Sequence, residues 1–242
     1  MAFSQRTLEF LVENRLQNSK AWFDEHKEEY RLLVLEPMIQ LTAALGPTVL
    51  DIDPQLIVDP RQGRSISRVR RDNRFTHDKS LYREVMWCVF LRDKKLWEGP
   101  PAFYFEIRPD RFDFGCGYYQ AGANTMAAIR EMILRNDPVY LEARKAWKEG
   151  GFQLEGDSYK RSKYPAQPEE KRNWLDRKTM SFNKDCFDFQ LLFSDRLADY
   201  VAQGFRQLAP VYRFFLQAEA RGLVVEEQPQ PQVIPQRPAE MW

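Results

Sequence analysis

Apolar positions fall into three kinds of pattern along the chain, and each predicts its own elements. At the N-terminus Leu8, Leu11 and Val12 share one side of a helix that Ser4 would cap, running from Gln5 to about Leu16. Asn18 or Ser19 would cap the next. There Trp22, His26, Tyr30, Leu33, Met38, Leu41 and Leu45 recur every three to five residues, a long amphipathic stripe. Pro37 predicts a kink in it, and Gly46-Pro47 predicts its end. Residues 51–64 then read as a loop rich in Asp, Pro and Gly.

From Ser65 the period changes to two. Ile66, Arg68 and Arg70 would line one strand face, and Ser67, Val69 and Arg71 the other. The apolar run from Val85 to Leu91 suits a central strand. The clearest β signal spans Phe103 to Gly117, where two alternating runs flank a turn at Pro109-Asp110. That register sets Ile107 opposite Phe112 and Phe105 opposite Phe114. The reverse face then carries Tyr104, Glu106, Arg108, Arg111 and Asp113.

Helical spacing returns from Asn124 to Arg135 and, after Asp137-Pro138, to about Lys148, with Gly150-Gly151 as the break. Phe152 to Lys160 reads as a short hairpin around Gly156-Asp157. Residues 163–173 read as a polar loop with two prolines, and Lys178 to Lys184 as a strand. Ser194 would cap a last long helix with Leu197, Tyr200, Val201, Leu208, Val211, Tyr212 and Phe215 inward, kinked at Pro210. The pattern predicts one α+β domain over residues 1–225, a mostly antiparallel sheet packed by N-terminal and C-terminal helices. Residues 226–242 form a Pro/Gln-rich tail, read as a solvated end; a docking strand anchored by Trp242 is the competing reading.

Composition narrows the function classes. At 242 residues, 43% hydrophobic and 14% aromatic, the chain can bury a core. Its 36 basic and 35 acidic residues nearly cancel, unlike a dedicated nucleic-acid binder. Cys88, Cys116 and Cys186 are few, distant and odd in number, which points to reduced thiols and a cytoplasmic location. No apolar stretch approaches the ~20 residues of a membrane span, so no membrane partner is expected.

One stretch changes the picture. Arg68 to Arg83 holds five arginines and Lys79 around Asp72 and Asp78, with Phe75 and Tyr82 between them. Guanidinium groups offer planar paired donors that match phosphate or carboxylate oxygens. The expected site is an anion pocket made by Arg68, Arg71, Asp72, Arg74, Lys79 and Tyr82, with Tyr104 and Glu106 joining from the polar sheet face. Its ligand would be a small phosphate- or carboxylate-bearing molecule, with Glu106 and Asp113 as an acid–base pair if the faces meet. The competing account is a salt-bridge network joining the arginines to Asp72, Asp78, Glu106 and Asp113, which perturbs the same groups.

Other classes are weaker. Arg64, Arg68, Arg70, Arg71 and Arg74 with Phe75, Tyr104, Tyr118 and Tyr119 would make a single-stranded nucleic-acid surface. A protein-interaction module using the aromatics or the tail is a third class. Only two histidines exist, His26 and His77, neither paired at ligand spacing, so no metal is expected. His26, on an apolar face, reads as half-buried with one nitrogen satisfied. No phosphate-binding glycine loop or nucleophile elbow is present, and no cofactor is expected. Cys116 between two glycines reads as a small residue in a β bulge. Whether the protein is an enzyme stays open.

The spacing of Arg68, Arg71, Asp72, Arg74, Phe75, Asp78, Lys79 and Tyr82 resembles the signature of the family known as domain of unknown function 2461. Trp22-Phe23 with Tyr30, Ala102 to Ile107, Gly115-Cys116-Gly117, Tyr159-Lys160-Arg161 and Lys178 to Phe182 resemble other parts of it. The resemblance covers most of residues 5–215. Two positions depart: Leu81 stands where that family usually has proline, and Arg83 where it has lysine. The resemblance implies a soluble α+β domain and assigns no activity.

Overall fold

Ser4 opens the first helix as expected, its hydroxyl accepting from Thr7 N while Thr7 Oγ1 accepts from Ser4 N. The structure, a computed structural model, describes residues 3–74, 77–93 and 99–227. The order is α1 (Gln5–Gln17), α2 (Lys20–Glu25), α3 (Lys27–Tyr30), a π-helical turn (Arg31–Leu35), α4 (Glu36–Ile52), β1 (Met86–Leu91), β2 (Ala102–Ile107), β3 (Phe112–Gly117), α5 (Ala123–Leu134), α6 (Pro138–Gly150), β4 (Gln153–Glu155), α7 (Glu169–Leu175), β5 (Ser181–Cys186), α8 (Phe189–Leu192) and α9 (Leu197–Glu227). The fold is α+β: a five-stranded antiparallel sheet in the order β1-β2-β3-β5-β4, with helices against it.

The long N-terminal stripe is divided differently from the sequence expectation. The break comes at the π turn before Pro37. Pro37 has no N–H for Leu33 O, four residues back, and Thr7 Oγ1 donates to that carbonyl instead at 2.8 Å. Gly46-Pro47 does not end the helix. Gly46 packs on Val58, and the carbonyl that Pro47 leaves unbonded belongs to Ala43, which faces solvent. Lys27–Ile52 is by length and composition apolar enough to cross a membrane, contrary to the sequence expectation. Half of its most apolar window is buried, with α4 packed on α9 and β1 as a core helix.

The β2–β3 hairpin follows its alternation, with Phe105 opposite Phe114 and Glu106 opposite Asp113. One sheet face buries Cys88, Phe90, Phe103, Phe105, Phe112, Phe114, Cys116 and Phe182 under α9 and its neighbours. Gly204 lets α9 come this close, since a Cβ there would lie 2.2 Å from the Phe114 ring. Cys116 lies in the regular ladder between Phe103 and Phe182, not in a bulge, and burial pushes its thiol well up.

Four other expectations are corrected. β1 is not central: β2 flanks one side and only the irregular segment 65–71 the other. Residues 152–160 do not close on themselves; β4 pairs with β5. Part of the supposed polar loop is α7, which begins after Pro168. α9 continues through Glu227, past the expected domain end; most of the tail, 228–242, lies outside the described residues.

Candidate functional site

Segment 65–71 extends the sheet beyond β1. Val89 N donates to Ser65 O and Ser67 N to Trp87 O. Two residues are then skipped, and the chain pairs again where Arg71 N donates to Leu81 O and Arg83 N to Val69 O, around the Arg70–Tyr82 bridge. That slip breaks the expected alternation. Ile66, Ser67 and Val69 are buried, while Arg68 and Arg70 are exposed and Arg71 is half-buried.

The predicted residues separate into three groups, two in this hairpin and one on the sheet beside it. The tip is matched to itself. Arg74 donates to both Asp72 oxygens at 2.9 and 2.7 Å, which holds the Asp72 carboxyl down at about 2. Lys79 Nζ donates to Asn73 O at 3.0 Å, and Asn73 returns a bond to Lys79 O. Asp78 accepts from Ser80 N and Oγ and pairs with both Arg71 (3.2 Å) and Arg15 of α1 (3.1 Å). Leu81 N donates to Asn18 Oδ1 at the end of α1, which fastens the hairpin to that helix. Phe75 lies outside the described residues.

The second group is structural. Tyr82 is 2% exposed and stacks on Phe23 at 4.9 Å, so its ring belongs to the core and not to a cleft. Arg68 is exposed and lies over Gly63, where a Cβ would come within 2.8 Å of its Nε.

The third group faces the other side of the sheet. Register places Trp87, Glu106, Asp113 and Asp185 in one cross-strand row, and Val89, Tyr104, Gly115 and Asn183 in the next. Neighbours in such a row stand about 5 Å apart. Three adjacent carboxylates would repel, so arginines intervene. Arg108 contacts Glu106 and reaches Asp113 at 3.4 Å, and Arg111 reaches Asp185 at 3.3 Å. Burial first, then Asp113, raises the Glu106 carboxyl; burial also raises Asp113. Burial pushes the Tyr104 phenol up as well, with Asp113 and Glu155 adding to it. Glu106 and Asp113 are thus brought together as expected, bridged by Arg108.

Arg83 stands at the end of this row, and the sequence-based site did not include it. Its guanidinium carbon lies 4.5 Å from the Trp87 ring centroid. Burial, then neighbouring Arg71, holds its pKa below the ordinary value, against the pull of Glu106. Among the described residues Arg83 makes no ion pair, and Arg71 Nε is buried with no partner. The missed signal was positional: Arg83 leads into β1, whose outward Trp87 it covers.

His26 fits its plainer reading. It is half-buried, stacked on Trp22 at 4.0 Å, with Nδ1 2.8 Å from Trp22 O. Among the described residues no three His, Cys, Asp or Glu side chains are arranged to hold a metal ion. A buried group the sequence did not signal ties α4 to the end of β1 and to α9: Asp53 accepts from Arg92 and from Tyr212, each at 2.6 Å. Burial would raise the Asp53 carboxyl, but these two bonds outweigh it and hold it down. An open groove of about 510 Å3 lies apart from the arginines, between α1, Pro109 and the α8 region, lined by Leu8, Val12, Phe189 and Phe193.

No curated protein matches the chain. A family model described as a conserved hypothetical protein, DUF2461, matches residues 6–214, which spans the helices, the sheet and the arginine hairpin together. On that match the chain belongs to the DUF2461 family.

Proposed function

We propose that this protein binds a small anionic molecule, bearing a phosphate or carboxylate group, between Arg71 and Arg83 at the β1 edge of the sheet. The observation that carries this reading is Arg83: half-buried against Trp87, beside a second guanidinium, and without an ion pair among the described residues. Arg71 has one carboxylate, Asp78, which it shares with Arg15 and Ser80, and Arg83 has none among the described residues, so an anion reaching both guanidinium groups stabilises the pair. Glu106 lies near enough to act on Arg83 and would orient it. Arg74, Asp72 and Lys79 are excluded from direct contact in this reading, because their bonds close on one another. No catalytic step is assigned.

A calorimetric screen of the full chain with sugar phosphates, nucleotides and dicarboxylates tests it. The expected result is a ligand whose affinity drops at least about tenfold in Arg83→Gln, the size of a lost charged hydrogen bond. Unchanged affinity in a folded Arg83→Gln protein would remove the site. Binding only to single-stranded nucleic acid, lost steeply with salt, would replace this reading with a backbone-tracking surface.

A further inference from the structure

At the opposite edge of the sheet, about 19 Å from β1 by strand spacing, Tyr159 sits inside a ring of cations. Lys163 Nζ lies 3.9 Å from its ring centroid, the Arg130 guanidinium 5.6 Å and Lys178 Nζ 5.7 Å. Among the described residues none of the three forms an ion pair with an aspartate or glutamate. Three positive groups around one phenol, none of whose charges pairs with a carboxylate among the described residues, repel each other unless an anion supplies negative charge.

The local fold holds them in place. Tyr159 N donates to Asp176 O and Lys178 N to Asp157 O, around a bridge between Ser158 and Arg177. Gly156, at φ 119°, makes the turn, and a Cβ there would lie 2.1 Å from Thr179 O. Arg130 is pinned from α5 by bonds to Leu175 O (3.1 Å) and Arg177 O (2.8 Å), so its charge is oriented but not neutralised. Lys163 N donates to Asp176 Oδ1, which fixes the loop that carries its ammonium. The lysines are exposed and Tyr159 is half-buried, so the cluster is open to a ligand. Arg130 also lines an open cavity of about 360 Å3 with Ala127, Glu131, Leu134, Arg135 and Tyr164, in which the Glu131 carboxylate is taken by Arg135 at 2.8 Å.

The geometry points to a second anion site, in which Arg130, Lys163, Lys178 and the Tyr159 hydroxyl hold the phosphate of a phosphate monoester and the 360 Å3 cavity takes its flat organic part. The Tyr159 phenol is drawn toward ionisation, first by Lys163 and then by Arg130. A bound phosphate would offset those cations and move the phenol's ionisation back to higher pH.

The test uses the full chain with phenyl phosphate, inorganic phosphate and phenol, followed by calorimetry. Phenyl phosphate is expected to bind more tightly than inorganic phosphate, and phenol not to bind. The double variant Lys163→Met, Lys178→Met is expected to weaken phenyl phosphate at least tenfold with an unchanged unfolding midpoint, since both side chains are exposed. Arg83→Gln is expected to leave it unchanged, which separates this site from the Arg71–Arg83 reading. Phenolate absorbance, compared with that of Tyr159→Phe, is expected to appear at higher pH when phenyl phosphate is present. No binding of either phosphate, or equal binding by the double lysine variant, would overturn the site. Inorganic phosphate binding as tightly as phenyl phosphate would overturn the assigned organic part.

Discussion

The two cation-rich edges of this sheet differ in what their charges face. At the edge beyond β1 the arginine hairpin carries its own carboxylates, and the tip closes on itself: Arg74 on Asp72, Lys79 on Asn73, Arg71 and Arg15 on Asp78. Around Tyr159 fewer cations gather, and no ammonium or guanidinium there pairs with a carboxylate among the described residues, the nearby Asp176 carboxylate accepting from the Lys163 backbone N–H instead. The density of positive residues in a sequence therefore does not measure the positive charge a fold leaves available. At the hairpin the exception is its base, where Arg83 lies on Trp87 beside Arg71. A ligand competes poorly for an arginine already held by a bidentate carboxylate and well for one that is not.

The sharpest way to break this comparison is to unmatch a pair that is both buried and matched. Asp53→Ala leaves Arg92 and Tyr212 without their shared acceptor. Urea unfolding should show a loss of about 3–5 kcal/mol, the scale for stranding a buried charge. A loss under 1 kcal/mol would mean that water reaches Arg92 freely and that matching decides little here.

Arg83→Gln comes next: an affinity loss of about tenfold to a hundredfold for the anionic ligand, with little change in the unfolding midpoint.

A buried acid without an ion pair among the described residues gives the converse case. Glu219 on α9 is 3% exposed, Oε2 has no hydrogen-bond partner, and burial pushes its pKa up to about 7. The folded value exceeds the unfolded one of 4.5, so the unfolded chain releases this proton first. The stability of the protein should fall as pH rises from about 4.5 to about 7 and level off above that. Glu219→Gln should remove that slope, worth up to about 3 kcal/mol. An unchanged pH profile in the variant would show that Glu219 is ionised in the fold.

The smallest effect is expected at the tip. The Asp72 and Arg74 side chains are 54% and 73% exposed, so Arg74→Ala should leave both the unfolding midpoint and the ligand affinity nearly unchanged.

What the sequence made legible follows the range of the interactions. The β2–β3 hairpin could be read because its alternation and its turn are local, and Ser4 and Asp137 cap the helices they precede. Gly46-Pro47 misled because the reasons α4 continues, Val58 against Gly46 and the exposure of Ala43, whose carbonyl Pro47 cannot bond, lie outside the helix's own pattern. α7 was hidden by the prolines before it, although Pro168 stands at its start. At the site, the arginines were visible and their partners were not. Arg15 and Asn18, which hold the hairpin from α1, each stand 63 residues before their partners Asp78 and Leu81. The two-residue slip between the Ile66–Cys88 and Arg70–Tyr82 bridges, which turns Tyr82 into the core, has no signature in the alternation. Arg83 was passed over because composition cannot tell a matched guanidinium from an unmatched one.

The central claim is that availability, not number, decides which cations take a ligand. Calorimetric titration of the best anionic ligand from the screen into the wild-type protein, Arg83→Gln and Arg74→Ala measures it most directly. The account predicts at least a tenfold loss for Arg83→Gln and an affinity within about twofold of wild type for Arg74→Ala. Equal losses in both, or a larger one for Arg74→Ala, would contradict it.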